Sequence, residues 1–365
     1  MLYFYKHVDH DMDKMQKFID FIFENVWCKA PHSGAFCLEL FCGEPELKEF
    51  MTSLYYNDTK NGDFFYSHVE KIYKIFANLS PAEIDQLKIW YNSNNDIERA
   101  CANAFDNKIV RYKELAEFNS ELCTAIKNFF TSLWGHSQLG RKNITKVVST
   151  VDAHYKAFIA AQKDKGVCPF CGLSRMDNEH NGTREDYDHF LPKSLYPFNS
   201  LNFKNLVPTC LKCNRTYKGS KDPLYKDNIR RKAFFPFAIN QLQIEISISL
   251  HHADIEHLNP DDIDLSFTSQ TAQEEIATWR EIYAIDTRYK AVCSGSEGKE
   301  WLQQILDEWE ELREDPQGGR RTPDQFMKSL ENDCKRSPFY EARFLKKAYL
   351  EACREKGLFS TPQPA

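Results

Sequence analysis

The chain has 365 residues, of which 42% are hydrophobic and 27% are charged. At about 100–200 residues per domain this length indicates two or three folded domains, and the composition excludes collagen-like and intrinsically disordered proteins. No apolar run approaches the ~20 residues of a membrane span, and no basic leader precedes an apolar segment, so we expect a cytoplasmic protein without membrane contact. A net charge of −6 neither supports nor excludes a nucleic-acid partner.

Residues 1–160 are predicted to form a mainly helical domain. A first helix is predicted at residues 14–27, where apolar side chains recur at helical spacing. Residues 80–83 have the pattern of a capping box with proline at the first helical position, so a helix is predicted to begin at Pro81. Apolar stripes then predict one long helix through residues 115–129 and another from about Ile144 to Lys163.

Residues 161–235 differ from this helical part in composition and charge. Helical periodicity is lost, and residues 163–232 carry 14 Lys and Arg against 8 Asp and Glu. The rest of the chain carries 33 against 45, so a basic segment lies within an acidic protein. From Lys212 to Lys232 there are 8 basic and 2 acidic residues. Such a run is either a solvated surface or a contact for nucleic acid.

Residues 236–365 are predicted to mix strands and helices. Apolar and polar residues alternate over residues 241–250, beginning with Leu242, and residues 262–267 are expected to pair with that strand. Helices are predicted near 273–283, at 299–312 and at 323–356. The fold class is therefore α+β, with a helical domain at 1–160, a central module at 161–235 and a mixed region at 236–365.

Four of the twelve cysteines form two CxxC pairs, Cys168 with Cys171 and Cys210 with Cys213. Two such pairs suit one tetrahedral zinc ion, because each tight turn offers two sulfur ligands. A redox dithiol and a plain zinc ribbon are the alternatives. A second CxxC and the lack of a βαβ pattern argue against the dithiol. The 38 residues between the pairs exceed the usual ribbon spacing, so a further segment is inserted there.

The inserted segment combines an Asp–His pair with two short strand-like stretches. Asp188 and His189 lie on a short strand-like stretch before Pro192, and a second such stretch begins at Asn205 and leads into the second cysteine pair. A short helix is predicted to begin after that pair. The compound pattern CPFCG, DHFLPKS and NLVPTCLKCNRTYKG covers about 60 residues and resembles the HNH endonucleases, whose fold is the ββα-metal module.

This resemblance assigns roles to several residues. It implies that His189 is the general base that deprotonates the attacking water, which suits a side chain whose ordinary pKa lies near neutrality. It implies that Asp188 and Asn214 hold a divalent ion, and oxygen ligands favour Mg²⁺ or Mn²⁺. Asn205 would hold the hairpin and orient the histidine. The cysteine zinc would be structural.

The basic residues that follow the second cysteine pair are expected to hold backbone phosphates. They are Arg215, Lys218 and Lys221, and the alternative is that they form a solvated surface. Asp186 is a further candidate metal contact because it shares the strand face of Asp188. His180, His251 and His252 are expected to be surface residues.

The segments around this pattern resemble a more specific group of HNH proteins. DHFLPKSLYP, FFPF at 234–237 and TWREIYAIDTRY resemble the HNH subunits of bacterial anti-phage systems of the Septu type. That resemblance implies an ATPase partner of the ABC or SMC-like class. The function predicted from the sequence is a metal-dependent endonuclease that cleaves nucleic acid, with DNA as the expected substrate, in antiviral defence. The alternative is a catalytically silent nucleic-acid-binding or scaffold protein that retains the HNH fold and the zinc site.

Overall fold

The structure is a computed structural model that describes residues 1–56, 63–134, 142–162, 166–239 and 244–359, together with Leu139. It mixes helices with small antiparallel sheets, which confirms the α+β fold class. Within these described residues, no helix is long and apolar enough to span a membrane.

The part of the chain before residue 162 is helical, as predicted. Its first helix continues into a π-helical turn at Ile22–Trp27. The predicted capping box is present, because Ser80 accepts a hydrogen bond from the Glu83 amide and the Glu83 carboxylate accepts one from the Ser80 amide. The α-helices of this part are α1 Asp13–Phe21, α2 Pro45–Tyr55, α3 Asp63–Phe76, α4 Pro81–Asn95, α5 Ile97–Cys101, α6 Tyr112–Phe118, α7 Ser120–Leu133, α8 Lys142–Val148 and α9 Val151–Ala161.

Two helices predicted here as continuous are broken. The stripe at residues 115–129 divides at Asn119, which has extended backbone and whose side chain accepts a hydrogen bond from the Leu122 amide. The helix predicted from Ile144 divides where Ser149 adopts a φ of 67° and Thr150 caps the next helix. Both breaks occur because short polar side chains satisfy the free amide groups of a new helix start. Lys163 lies outside the described residues.

The strands of the described chain form three separate antiparallel pairs. The strand predicted at 241–250 is observed over Glu245–Leu250, and Leu242 lies outside the described residues. It pairs with the second predicted segment as expected. A tight hairpin turns at Asp227 and Asn228, both with positive φ. The strands are β1 Tyr187–His189, β2 Leu206–Pro208, β3 Tyr225–Lys226, β4 Ile229–Arg230, β5 Glu245–Leu250 and β6 Ile263–Thr268.

The C-terminal helices follow the strands, and one predicted helix is again broken. The segment 323–356 divides near Pro338, because proline lacks an amide hydrogen and disfavours helical backbone in the residue before it. Glu341 and Ala342 then take positive φ before the last helix. These helices are α10 Gln273–Ile282, α11 Ile285–Ser294, α12 Ser296–Glu314, α13 Pro323–Arg336 and α14 Arg343–Glu355.

The segment between the two cysteine pairs lies between two hydrophobic cores. One core belongs to the N-terminal helices and includes Tyr187 and Leu206 from the β1–β2 hairpin. The other contains the four paired cysteines, residues 1–5 and the C-terminal helices, and it includes Phe190 and Val207. Successive strand residues face opposite sides of a sheet, so a hairpin of six buried residues contributes to both cores.

Candidate functional site

The four paired cysteines come together in the structure. Their Sγ atoms all lie within 4.8 Å of one another, the four side chains are buried, and the Sγ atoms of Cys171 and Cys210 are 4.0 Å apart. Tetrahedral zinc with Zn–S bonds of ~2.3 Å places its sulfur ligands about 3.8 Å apart. The cluster therefore has the ligands and the approximate size to bind a metal such as zinc, and it uses both cysteine pairs rather than one dithiol.

The first cysteine turn is fixed from two directions. Gly172 has a φ of +66°, and its amide donates to the Cys168 carbonyl at 2.8 Å. A Cβ at Gly172 would lie 2.5 Å from the side chain of Leu2, so glycine is required at this turn. From the C-terminal helices, the Trp279 indole donates to the carbonyl of Phe170 at 2.7 Å. The turn is thus anchored to parts of the chain that are far apart in sequence.

The inserted segment forms the hairpin and helix that the sequence pattern indicated. Strands β1 and β2 are antiparallel, with Asp188 opposite Val207 and His189 opposite Leu206. The second cysteine pair follows directly, and a short π-helical segment runs over Lys212–Lys218. Its backbone bond from the Gly219 amide to the Asn214 carbonyl, 2.8 Å long, spans five residues.

His189 is buried, and its ring is held by two neighbours. The Nε2 atom lies 3.0 Å from the carbonyl oxygen of Ser200. Because a carbonyl only accepts, Nε2 carries the hydrogen, and in the neutral ring Nδ1 has the lone pair. The indole of Trp134 contacts the ring edge-on, with centroids 5.2 Å apart. Burial, with a smaller effect of the Lys193 ammonium, lowers the pKa of His189 to about 3, so the imidazole is neutral at physiological pH.

Asp188 is a buried carboxylate whose two oxygen atoms have different surroundings. Its side chain is 3% exposed, and Oδ1 accepts a hydrogen bond of 2.8 Å from the Lys218 ammonium. Among the described residues, Oδ2 has no hydrogen-bond partner. Burial raises the pKa of Asp188, and the Lys218 ammonium opposes that rise. A buried, unpartnered carboxylate oxygen is unfavourable unless a cation or donor approaches it.

The position of Lys218 differs from the surface position expected from the sequence. Its side chain is 1% exposed, and the ammonium also donates to the His189 carbonyl at 2.8 Å. The lysine is turned inward because Asp188 needs a counter-charge in the protein interior. In this structure the Lys218 ammonium therefore holds the strand that carries Asp188.

Asn205 and Asn214 occupy different surroundings. Asn205 is fully buried; its Oδ1 accepts from the Leu191 amide at 2.7 Å, and its Nδ2 donates to the Leu191 and Asn199 carbonyls at 3.1 and 3.3 Å. It thus joins the two ends of the loop between β1 and β2. Asn214 is partly exposed and lies four residues before Lys218 on the same short helix. This spacing places Asn214 on the side of the helix from which Lys218 reaches Asp188.

The remaining basic residues are divided between the surface and internal ion pairs. Arg215 is exposed and pairs with Asp186, which therefore has a cationic partner already. Lys221 is exposed and makes no ion pair within the described part of the chain. Lys226 and Arg231 both pair with Glu281, so part of the basic run is neutralised internally. The alternative that the basic run is a solvated surface therefore accounts for the charges that already have acidic partners within the chain.

The three histidines predicted at the surface have acidic neighbours of their own, and two cations that contact the site were not predicted. His180 is exposed and lies beside Glu179, while the side chains of His251 and His252 pair with Asp264 and Asp262. Sequence reasoning did not single out Lys193, whose ammonium donates to the Thr131 carbonyl at 3.2 Å and whose charge acts on His189. It also did not single out Arg288, which contacts the cysteine cluster from a distant helix.

Comparison with known proteins gives a local similarity. The chain is 34% identical over 65 residues to a protein of Bacillus thuringiensis named Septu protein PtuB. The matched segment is 17% of this chain and spans 24% of that protein. No family profile matches the sequence, and no solved structure matches it.

The cysteine cluster leads to a prediction about metal content. We expect one tightly bound zinc ion per chain, and Cys210→Ser should release it and unfold the centre of the molecule. Zinc binding contributes on the order of 10 kcal/mol in small zinc peptides. Elemental analysis and circular dichroism check both effects, with Cys42→Ser, an exposed cysteine outside the cluster, as the control. Well-folded protein with less than half an equivalent of zinc would contradict this assignment.

The buried pair of Asp188 and Lys218 leads to a prediction about stability. Lys218→Met leaves a buried carboxylate without its counter-charge, so the free energy of unfolding should fall by about 3–5 kcal/mol. Lys226→Met, which breaks an exposed pair, should cost less than about 1 kcal/mol. Adding Asp188→Asn to Lys218→Met should recover part of the loss. Denaturant titrations measure all four proteins, and equal losses for the two lysine variants would refute the buried pair.

Proposed function

We propose that this chain is a metal-dependent endonuclease of the HNH class that hydrolyses phosphodiester bonds, with DNA as the first substrate to test. The proposal includes the assignment of the hairpin and short helix to the ββα-metal fold. The observation that carries it is the adjacency of Asp188, a buried carboxylate with an unpartnered oxygen, and His189, a neutral imidazole. One group can hold a divalent cation and the other has a free lone pair to accept a proton, which are the two requirements of phosphodiester hydrolysis.

The residues around Asp188 fit a divalent ion. Lys218 occupies Oδ1 only, so Oδ2 is the atom available to a metal. Asp188 and Asn214 would hold Mg²⁺ or Mn²⁺, because both supply oxygen ligands. When bound, such an ion supplies positive charge for the phosphate oxygens and the leaving oxygen. Asp186 is a weaker candidate ligand because its carboxylate pairs with Arg215.

His189 is proposed to take the proton from the attacking water through Nδ1. Its Nε2–H donates to the Ser200 carbonyl, an acceptor that stabilises the ring as it gains positive charge. Trp134 fixes one edge of the ring, and Asn205 fixes the loop that contains Ser200. Because the ring is neutral before the reaction, no proton has to leave it first. Lys193 lies close enough to oppose protonation until an anionic phosphate is present.

Arg215 and Lys221 are proposed to contact the phosphate backbone. Both are exposed and lie on or directly after the helix that carries Asn214. Lys218, which the sequence pattern grouped with them, is assigned instead to holding Asp188. Outside residues 163–232 the chain carries more acidic than basic residues, so nucleic acid is favoured at this segment over the rest of the surface.

The biological setting is proposed from similarity. The match to Septu protein PtuB supports a role in anti-phage defence, and the resemblance of the flanking segments supports an ATPase partner of the ABC or SMC-like class. The division into a helical part at 1–160, a nuclease module at 161–235 and a mixed region at 236–365 is part of the same proposal. The outer parts are large enough to offer an interface of ~800 Å² per partner.

His189→Ala should abolish cleavage and leave substrate affinity unchanged, because the base acts only on the water. Plasmid and single-stranded substrates are incubated with Mg²⁺ or Mn²⁺ and with EDTA, and binding is measured separately. His180→Ala, an exposed histidine of the same segment, is the control and should cut as the native chain does. Binding without metal-dependent cleavage by the native chain, both alone and with a Septu-type ATPase and ATP, would favour the silent scaffold. An equal loss of affinity and cleavage in His189→Ala would contradict its role as base.

Lys221→Ala should weaken binding to every sequence alike and reduce the slope of log K against log salt by about one. Lys226→Ala removes the same charge from a nearby lysine that already pairs with Glu281. Salt titrations of the two variants therefore separate a phosphate contact from a general loss of charge. An identical reduction of slope in both variants would contradict the proposed contact at Lys221.

The partner proposal predicts that the isolated chain cuts slowly and that a Septu-type ATPase with ATP stimulates it. Cleavage rates of the full chain are compared with and without the ATPase at matched Mg²⁺ and salt, with His189→Ala plus ATPase as the blank. Equal rates with and without the ATPase would contradict the partnership and leave a stand-alone nuclease.

A further inference from the structure

Arg288 brings a buried positive charge to the cysteine cluster. Its Nη1 lies 3.0 Å from the Sγ of Cys213, and the residue is 7% exposed. It belongs to α11, which begins 72 residues after Cys213. A buried guanidinium is unfavourable unless it is paired with negative charge, and the thiolates of the cluster provide that charge.

The charge balance of the cluster explains why this contact matters. Four thiolates around one Zn²⁺ carry a net charge of −2, here in the protein interior. Arginine is permanently charged, so its N–H group is a donor at any physiological pH and would pair with the thiolate of Cys213 in the metal-bound cluster. A donor to a ligand sulfur lowers the electron density on that sulfur and fixes its orientation, as outer contacts do in metal sites generally.

The same guanidinium also touches the helix of the proposed active site. It lies 4.5 Å from the ring centre of Tyr217, within the range of a cation–π contact. Tyr217 lies between Asn214 and Lys218 on the helix Lys212–Lys218. One side chain of the C-terminal region thus contacts a cysteine of the cluster and the helix that ends at the Asp188 counter-ion.

We propose that Arg288 is a positioning residue of the metal cluster, where it neutralises charge on Cys213 and holds the helix Lys212–Lys218 against the cluster. The effect of Arg288 on the cysteine ligands does not depend on any catalysed reaction. Only the further statement that Arg288 helps to position Asn214, through the helix Lys212–Lys218, rests on the proposed nuclease function. The C-terminal region therefore supplies part of the metal site and is more than an appended segment.

The test uses the full chain with Arg288→Met, which keeps an unbranched apolar stem and removes the charge, and Arg288→Lys, which keeps the charge. Arg280→Met is the matched control, because Arg280 pairs with Asp286 and stacks on Phe267 without touching a cysteine of the cluster. Each protein is studied with zinc, whose release to a chelator is timed, and with Co²⁺ in its place, whose thiolate-to-cobalt absorption band is recorded.

Arg288→Met should release zinc about tenfold faster or more, and its cobalt band should shift to longer wavelength because Cys213 becomes more electron-rich. Arg288→Lys should lie between this variant and the native chain, and Arg280→Met should match the native chain. If Arg288→Met does not fold, the neutral donor Arg288→Gln is judged by the same two measurements.

A native release rate and a native band in Arg288→Met or Arg288→Gln would overturn the proposal, as would equal changes in Arg280→Met. These measurements are made without nucleic acid. Failure of the Arg288 proposal is therefore distinguishable from failure of the nuclease proposal, which appears as absent cleavage with an unaltered metal site.

Discussion

The structure depends on gathering four cysteine sulfurs within 4.8 Å of one another in the protein interior. Thiolates at this distance repel one another, and a metal ion such as zinc would make the arrangement favourable. The pairs are 38 residues apart, and closing them together fixes both ends of the segment that carries Asp188 and His189. Leu2 and Trp279 bind the first cysteine turn through its backbone. Chain regions distant in sequence thus meet at this cluster.

A second constraint is the cost of burying charge in a short hairpin that is covered on both faces. Asp188 is kept in the interior with Lys218 on one oxygen, and the second oxygen has no hydrogen-bond partner among the described residues. His189 avoids the same cost by remaining neutral, with its Nε2–H satisfied by the Ser200 carbonyl. Two ionisable neighbours are therefore held in different charge states by their surroundings, which is how acid–base sites are generally prepared. Asn205 secures this arrangement through backbone contacts.

The features that sequence predicted are those that depend on local pattern. The CxxC spacing predicted the cysteine cluster, the alternation around Ile248 predicted a strand, and residues 80–83 predicted a helix start. The features that it missed depend on tertiary contacts. Lys218 was expected at the surface, because the sequence of a basic run does not show which of its cations will be buried as the partner of a buried carboxylate, here Asp188. Arg288 has no motif at all, since only folding brings α11 to the cluster.

We propose that one chain holds two metal ions of different chemistry, one among the four cysteine sulfurs and one beside Asp188 and His189. Anomalous diffraction at the zinc and manganese absorption edges, from crystals of the full chain grown with Mn²⁺, tests it most directly. We expect a zinc peak among the four cysteine sulfurs and a separate manganese peak beside Oδ2 of Asp188, with Asn214 as a neighbouring ligand. An ordered hairpin with no manganese at Asp188 under saturating Mn²⁺, or sulfurs without zinc, would contradict it.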